Sequence, residues 1–508
     1  MNHRWTNFSL TARGVRFVLV LVAVSFIVVY VALALSRIAY PYELEWMEGG
    51  ILDHVARLLS GKGLYIEPSL EFTPFVYTPL YYYISAGFAK VFGSGLFPLR
   101  LVSFLASLGS MAILFAFTRR ETGSAVLGIL SAGLFAAAFN ITGAWYDIAR
   151  VDSLFVLLLL SSVYVFRHVP SFSGLLLAGV LMSLSVLTKQ IALVACLTLS
   201  VYSVAFLPRK VRFVFPLVVV IIVGLATLVL NWSSNGWFWY YVFELPRRHP
   251  VSMEKLVGFW VRDIGMLSIA FGMSLVYVIS LVRDEKWKDA VFYVLLMAGM
   301  VGASWISRLH SGNYINVLIP AVAVIALVFP LGLQVLLPGY FYRSRESKPA
   351  PGREFALSDY LVVFLCVAQF LSLAYDPMDQ VPTSKDRAAG DGLVQKLTNI
   401  DGEVFIPFHG YLATLSGKKP YAHIMALSDV IRSNDRAQGM HVMKQLADAF
   451  RKQRFSAVIL DGEDRLGMER EVKQWYFLQG RVFNTDDVFY PVTGALWRPE
   501  FLYLPRKN

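Results

Sequence analysis

Charge is scarce in this chain. Only 16% of its 508 residues are Asp, Glu, Lys or Arg, against 56% hydrophobic and a mean hydropathy of +0.56. That balance excludes an ordinary soluble protein and indicates a polytopic α-helical membrane protein. Cysteine is scarcer still: Cys196 and Cys366 both lie inside apolar runs, so no disulfide framework is implied. Common catalytic signatures are missing too. There is no Walker-type phosphate loop, no His-Glu-x-x-His, no Gly-x-Ser-x-Gly and no Cys-x-x-Cys, which leaves nucleotide and zinc hydrolysis without support. The formal charge of +11 does not point to nucleic acid, because the basic residues stand in short loops between apolar runs.

Those runs predict about eleven spans, near 17–35, 98–118, 124–142, 152–167, 172–188, 190–207, 213–230, 262–282, 289–306, 314–335 and 356–375. Leu80–Gly93 is short for a bilayer that needs roughly 20 residues and is read as interfacial. With that choice Arg119-Arg120, Arg167-His168, Arg209-Lys210-Arg212, Arg283 with Lys286 and Lys288, and Arg343, Arg345, Lys348 and Arg353 all fall on the inside. Residues 1–376 then form a transmembrane region whose first outer loop, 37–97, carries interfacial helices. Residues 377–508 are charged and turn-rich, with candidate strands at Glu403–Pro407 and Phe455–Leu460 and an amphipathic helix at Met440–Gln453. They read as a small extracytoplasmic α/β domain. An Arg-rich N-terminus places the first residues in the cytoplasm.

The stretch Tyr40–Pro79 organises the rest. Glu43, Glu45, Glu48 and Asp53 fall within eleven positions beside a membrane entry, where carboxylates are costly to desolvate. Ile51, Leu52, Val55, Leu58 and Leu59 recur at helical spacing, suiting a helix lying in the interface plane. Further polar groups gather at the outer span ends. Asp147, Arg150 and Asp152 open the fourth span; Arg150 suits a phosphate or a carboxylate, while Asp152 suits a helix cap as well as a site. Lys189 lies between two apolar runs, either snorkelling to headgroups or reaching an anion. The aromatic loop 231–261 carries Arg247, Arg248 and His249, and serves equally as an interfacial belt or as a surface for a sugar or polyprenyl chain. Arg308, His310 and Asn313, with Ser311-Gly312 between them, suit an anion site or an anchor. Tyr77 and Arg100 complete the binding candidates.

Taken in order, the acidic first loop running into ARLLSGKGLY, the stretches TPLYYYISAGFAKVFG, PLRLVSFLAS, ARVDSLFVLLL and LTKQ, and the later RLHSGNYINVLIP resemble the GT-C glycosyltransferases. The similarity is to their branch of protein O-mannosyltransferases and lipid A aminoarabinose transferases. It implies a GT-C-like fold, a polyprenyl-phosphate-linked sugar donor and a catalytic carboxylate in the first loop. The family usually shows Asp-Glu-Gly there, where this chain has Met47-Glu48-Gly49, so the carboxylate is reassigned to Glu45 or Glu48, with Asp152 at the second acidic position.

The expected activity is inverting transfer of a sugar to an acceptor hydroxyl of a lipid, glycan or protein at a periplasmic face of a bacterial inner membrane. Glu45 or Glu48 acts as the base, and Arg150, Lys189, Arg308 or His310 meets the leaving phosphate. No cofactor is required, though carboxylates at two sites could hold a divalent metal. The alternatives are a transporter or flippase using the same groups without bond chemistry, and a non-catalytic scaffold. Polar residues at span ends and the lack of related halves fit the transporter poorly.

Overall fold

The computed structural model describes residues 2–310, 312–338, 340–341, 356–433, 436–462 and 465–506. The basic loop with Arg343, Arg345, Lys348 and Arg353, and Ser311, lie outside the described residues.

Helices stand at all eleven expected positions. The first nine helices are α1 (Asn2–Arg37), α2 (Glu48–Leu59), α3 (Leu80–Phe92), α4 (Leu96–Thr122), α5 (Ala125–Ala137), α6 (Asp152–His168), α7 (Phe172–Thr188), α8 (Ala192–Phe206) and α9 (Val214–Ser233). Among the described residues, six helical segments are long and apolar enough to cross a membrane: Arg13–Arg37, α4, α9, Glu254–Arg283, Trp287–Leu309 and Ile315–Leu336. The helices α5, α6, α7, α8 and Leu357–Leu371 have 13 to 17 residues. Nearly all residues of Ile315–Leu336 are buried and they are apolar on all sides, so it forms the central post of the bundle. By contrast, few residues of α9 are buried, and it turns its Val, Ile and Leu residues outward. Two short loops start helices by local chemistry: Ser124 accepts a hydrogen bond from Leu127 N–H, and Ser171 accepts one from Gly174 N–H.

The two ends of the bundle differ. At one end Arg167 pairs with Glu121 at 2.9 Å and Asp289 at 2.7 Å, and Arg120 reaches the His168 carbonyl. At the other end lie α2, α3 and the C-terminal segment. The 13-residue α3 packs against α2 and α4 instead of extending to span length.

The C-terminal segment forms a four-stranded mixed sheet in the order β1 (Val404–Phe405), β2 (Ala457–Asp461), β4 (Pro499–Pro505), β3 (Tyr476–Arg481). β1 and β2 are parallel, and β4 runs antiparallel to both of its neighbours. Arg436–Arg451 supplies the expected amphipathic helix. The segment is packed hard against the first loop. A Cβ on Gly49 would lie 2.3 Å from the Tyr411 ring, and one on Gly50 would lie 2.6 Å from Phe75 and 3.1 Å from His423. Two adjacent glycines weaken a helix by roughly 0.5–1 kcal/mol each, and here they let α2 and the C-terminal segment meet without side chains between them.

Candidate active site

Four backbone and side-chain donors converge on Glu48. Its Oε1 accepts from Arg100 Nε at 2.9 Å and Ala149 N–H at 2.6 Å, and its Oε2 accepts from Arg100 Nη2 and Leu44 N–H at 2.6 and 2.7 Å. Arg100 in turn donates to the Tyr40 and Tyr42 carbonyls, both at 2.6 Å. Burial alone would raise the Glu48 pKa, but Arg100 and the backbone donors outweigh it and hold the carboxyl below its usual range. Glu48 and Arg100 are both fully buried and join the first loop, α4 and the loop before α6 into one unit.

Glu45, three residues earlier, is in a different state. Its Oε2 faces Arg150 Nη1 at 3.4 Å and accepts from Met47 N–H at 3.2 Å. Its Oε1 is buried and has no partner among the described residues. Burial, opposed only partly by Arg150 and reinforced by Glu48 and Glu43, pushes its pKa up to about 8. The C-terminal loop covers it: Thr493 N–H donates to the Leu44 carbonyl at 3.1 Å, and a Cβ on Gly494 would lie 2.8 Å from Glu45 Cγ. Gly494 also has φ +81°, so both space and backbone require glycine there.

A cavity of about 200 Å3 is lined by Trp46, Tyr77, Trp145, Arg150, Lys189 and Asn316 among others; Glu45 stands behind Arg150, its partner in that wall. Arg150 donates to Tyr77 Oη at 2.9 Å and lies over the Trp145 ring at 4.6 Å. Lys189 turns inward, with its Nζ 2.6 Å from Asp152 Oδ1, and Asn316 Nδ2 donates to the same oxygen at 3.1 Å. Asp152 Oδ2 is buried and without a partner among the described residues. Asp152 is the first residue of α6 and donates its charge to this pair, while Lys189 is only 11% exposed and does not snorkel outward.

His310 and Asn313 also line the cavity. Burial first, and His249 second, lower the His310 pKa. Other expected binding residues lie elsewhere. Asp147 is held by Arg37 at 2.6 and 2.8 Å, both buried, so its charge is spent on the α1 junction. Arg308 pairs with Asp263 at 2.8 Å and donates to the Asn313 carbonyl, which directs it away from the cavity. Arg247 is exposed, and Arg248 pairs with Glu244 at 3.3 Å on the surface. Within the aromatic loop, Phe238 packs edge-on against Tyr65 of the first loop at 5.0 Å, whereas Trp232 stays 84% exposed.

Sequence reasoning did not single out Trp145, Met425 or Asp429, which also line the cavity. Trp145 adjoins the Asp147–Asp152 motif and was within reach of a local reading. Asp429 belongs to an amphipathic helix 277 positions after Asp152, and only the tertiary fold brings it here. Among the described residues, no group of three or more His, Cys, Asp and Glu side chains is arranged to hold a metal ion.

Residues 76–233 match the family model described as dolichyl-phosphate-mannose-protein mannosyltransferase. No curated protein matches by sequence. Among solved structures, ArnT from Cupriavidus metallidurans superposes in its apo state with a TM-score of 0.58 at 11% identity, covering 95% of this chain and 98% of that one. The same enzyme bound to undecaprenyl phosphate gives 0.58 at 10% identity, covering 94% and 98%. The archaeal oligosaccharyltransferase AglB from Archaeoglobus fulgidus, in complex with an inhibitory peptide and a dolichol-phosphate, gives 0.50 at 12% identity, covering 86% and 69%. In fold the chain is therefore similar to these membrane glycosyltransferases, and the resemblance to the GT-C group and its protein mannosyltransferase branch, first read from short motifs, is borne out.

Proposed function

We propose that this protein transfers a sugar from a polyprenyl-phosphate-linked donor to an acceptor hydroxyl, with inversion, in the cavity beside Glu45. Glu45 takes the hydroxyl proton as the acceptor oxygen bonds to the anomeric carbon. The bond from that carbon to the phosphate oxygen breaks, and polyprenyl phosphate leaves with the electron pair. Lys189 and Arg150, both buried, meet the growing charge on the phosphate, where contacts from buried cations count most. Asp152 and Asn316 orient Lys189. In this reading Glu48, held by Arg100 and two backbone donors, is the scaffold of the first loop, and the base role goes to Glu45.

The observation that carries this reading is a buried carboxylate, one oxygen of which has no partner among the described residues, set 3.4 Å from Arg150, which together with the buried Lys189 lines one cavity. The family match and the fold of proteins solved with undecaprenyl phosphate or dolichol-phosphate support a lipid-linked donor. We place the cavity on the extracytoplasmic side of a bacterial inner membrane crossed about eleven times, with residues 377–508 on the same side. The charge of the leaving group is met by side-chain cations, so the proposed step uses no metal. The test is transfer by the purified full-length protein from lipid-linked sugars, with Glu45→Gln compared to the parent. General-base assistance is worth roughly 10²–10⁴-fold. A Glu45→Gln protein with full activity would remove the assigned base.

A further inference from the structure

The C-terminal segment reaches into the cavity as well as covering Glu45. Its helix Ile424–Arg432 contributes Met425 and Asp429 to the wall, opposite in charge to the Lys189 and Arg150 side. Asp429 is 3% exposed. Its Oδ1 lies 3.2 Å from Arg432 Nη2 and 3.7 Å from His249 Nε2, and His310 stands beside His249 in the same cavity. The helix is fixed at its start. His423 Nδ1 accepts from Met425 N–H at 3.1 Å, so its Nε2 carries the proton and donates to the Trp46 carbonyl at 3.3 Å. Trp46 is one residue from Glu45 and packs edge-on against Trp497 at 4.4 Å. Asp429 is therefore held in a set position relative to the reacting end, as a recognition group needs to be.

Resting on the proposed transfer reaction, we infer that Asp429, supported by His249, selects the donor sugar by accepting hydrogen bonds from hydroxyl or amino groups on its ring. Hydrogen-bonding capacity decides the direction. A carboxylate only accepts hydrogen bonds, so Asp429 suits sugar groups that donate them, while the donor's phosphate, itself an acceptor, belongs with Lys189 and Arg150. The same cavity wall carries Trp46 and Tyr77, aromatic side chains of the kind that pack on the apolar face of a sugar ring.

The experiment measures kcat/KM of the full-length protein on a panel of polyprenyl-phosphate-linked hexoses and aminopentoses, then on the single-deoxy or deamino analogues of whichever sugar is transferred. The parent protein loses about 10- to 100-fold on one analogue, the cost of an unmatched hydrogen bond to a charged group. Asp429→Asn shows a similar loss on the full sugar and no longer distinguishes it from that analogue. Binding of sugar-free polyprenyl phosphate stays unchanged and reports an intact cavity. Should Asp429→Asn fail to fold, His249→Gln shows the same narrowing of discrimination. Equal losses on all donors, or a change confined to the acceptor KM, overturn this inference alone. No transfer by the parent from any lipid-linked sugar overturns the reaction as well.

Discussion

Glu48→Gln tests the separation of scaffold from base most directly. Each Glu48 oxygen faces two donors: Arg100 Nε and Ala149 N–H on one, Arg100 Nη2 and Leu44 N–H on the other. A glutamine amide can turn either way, but its NH2 group then always meets two N–H groups. The substitution therefore breaks two hydrogen bonds and leaves the fully buried Arg100 without a counter-charge. Removing one partner of a buried ion pair costs about 3–5 kcal/mol. The expected result is a clear fall in the thermal melting temperature in detergent, with activity lost in proportion to folded protein. An Arg100→Gln, Glu48→Gln double variant is less destabilised than the sum of its parts, because no unpaired charge remains. A Glu48→Gln protein that melts like the parent would refute the clamp. One that melts like the parent and is inactive would transfer the base role to Glu48.

The other predictions address the chemistry and the docking of the C-terminal segment. At pH 7, where a Glu45 carboxyl with its pKa at about 8 is already largely protonated, Glu45→Gln leaves the melting temperature nearly unchanged and lowers kcat by roughly 10²–10⁴-fold; a large loss of stability there instead would assign Glu45 a structural role. A base with its pKa raised to about 8 works only when deprotonated, so kcat/KM rises with pH up to about 8 and then levels; a flat profile from pH 6 to 9 speaks against it. Lys189→Met, which strands Asp152 beside the expected phosphate, raises donor KM and lowers kcat by at least about tenfold, measured with the same transfer assay; unchanged kinetics would remove Lys189 from the site. His409 bridges Glu43 at 2.5 Å and Asp461 at 3.0 Å, and these carboxylates overcome its burial to push its pKa to about 10. A histidine raised in this way stabilises the folded state fully below about 6.5, and that contribution fades as pH climbs through about 10. Melting temperature should thus fall between pH 7 and 10 in the parent and fall less in His409→Asn. Equal slopes would show that the bridge does not matter.

Sequence alone determined a good deal. Apolar run length fixed where the bundle helices form, because about 20 residues are needed to cross a bilayer and few other arrangements satisfy their backbone groups there. Interfacial helices were legible from the short Leu80–Gly93 run and the stripe through Ile51, Val55 and Leu58. The cost of burying charge marked Glu45, Glu48, Arg150, Asp152 and Lys189 as residues with partners. What sequence left open was which charge partners which. Glu45 and Glu48 lie three apart with similar neighbours, and only the approach of Arg100 and the Ala149 backbone to Glu48 gives one a full set of donors and leaves the other an oxygen without a partner among the described residues. Arg308 and Asp147 looked like site residues until the fold joined them to Asp263 and Arg37. Asp429 carried no local signal at all, since its place in the cavity follows from how the helical part of the C-terminal segment, through Tyr411 and His423, docks on Gly49 and Gly50. Periodicity and desolvation act along the chain and can be read from it; ion pairing and cavity shape act across it and depend on the packed structure.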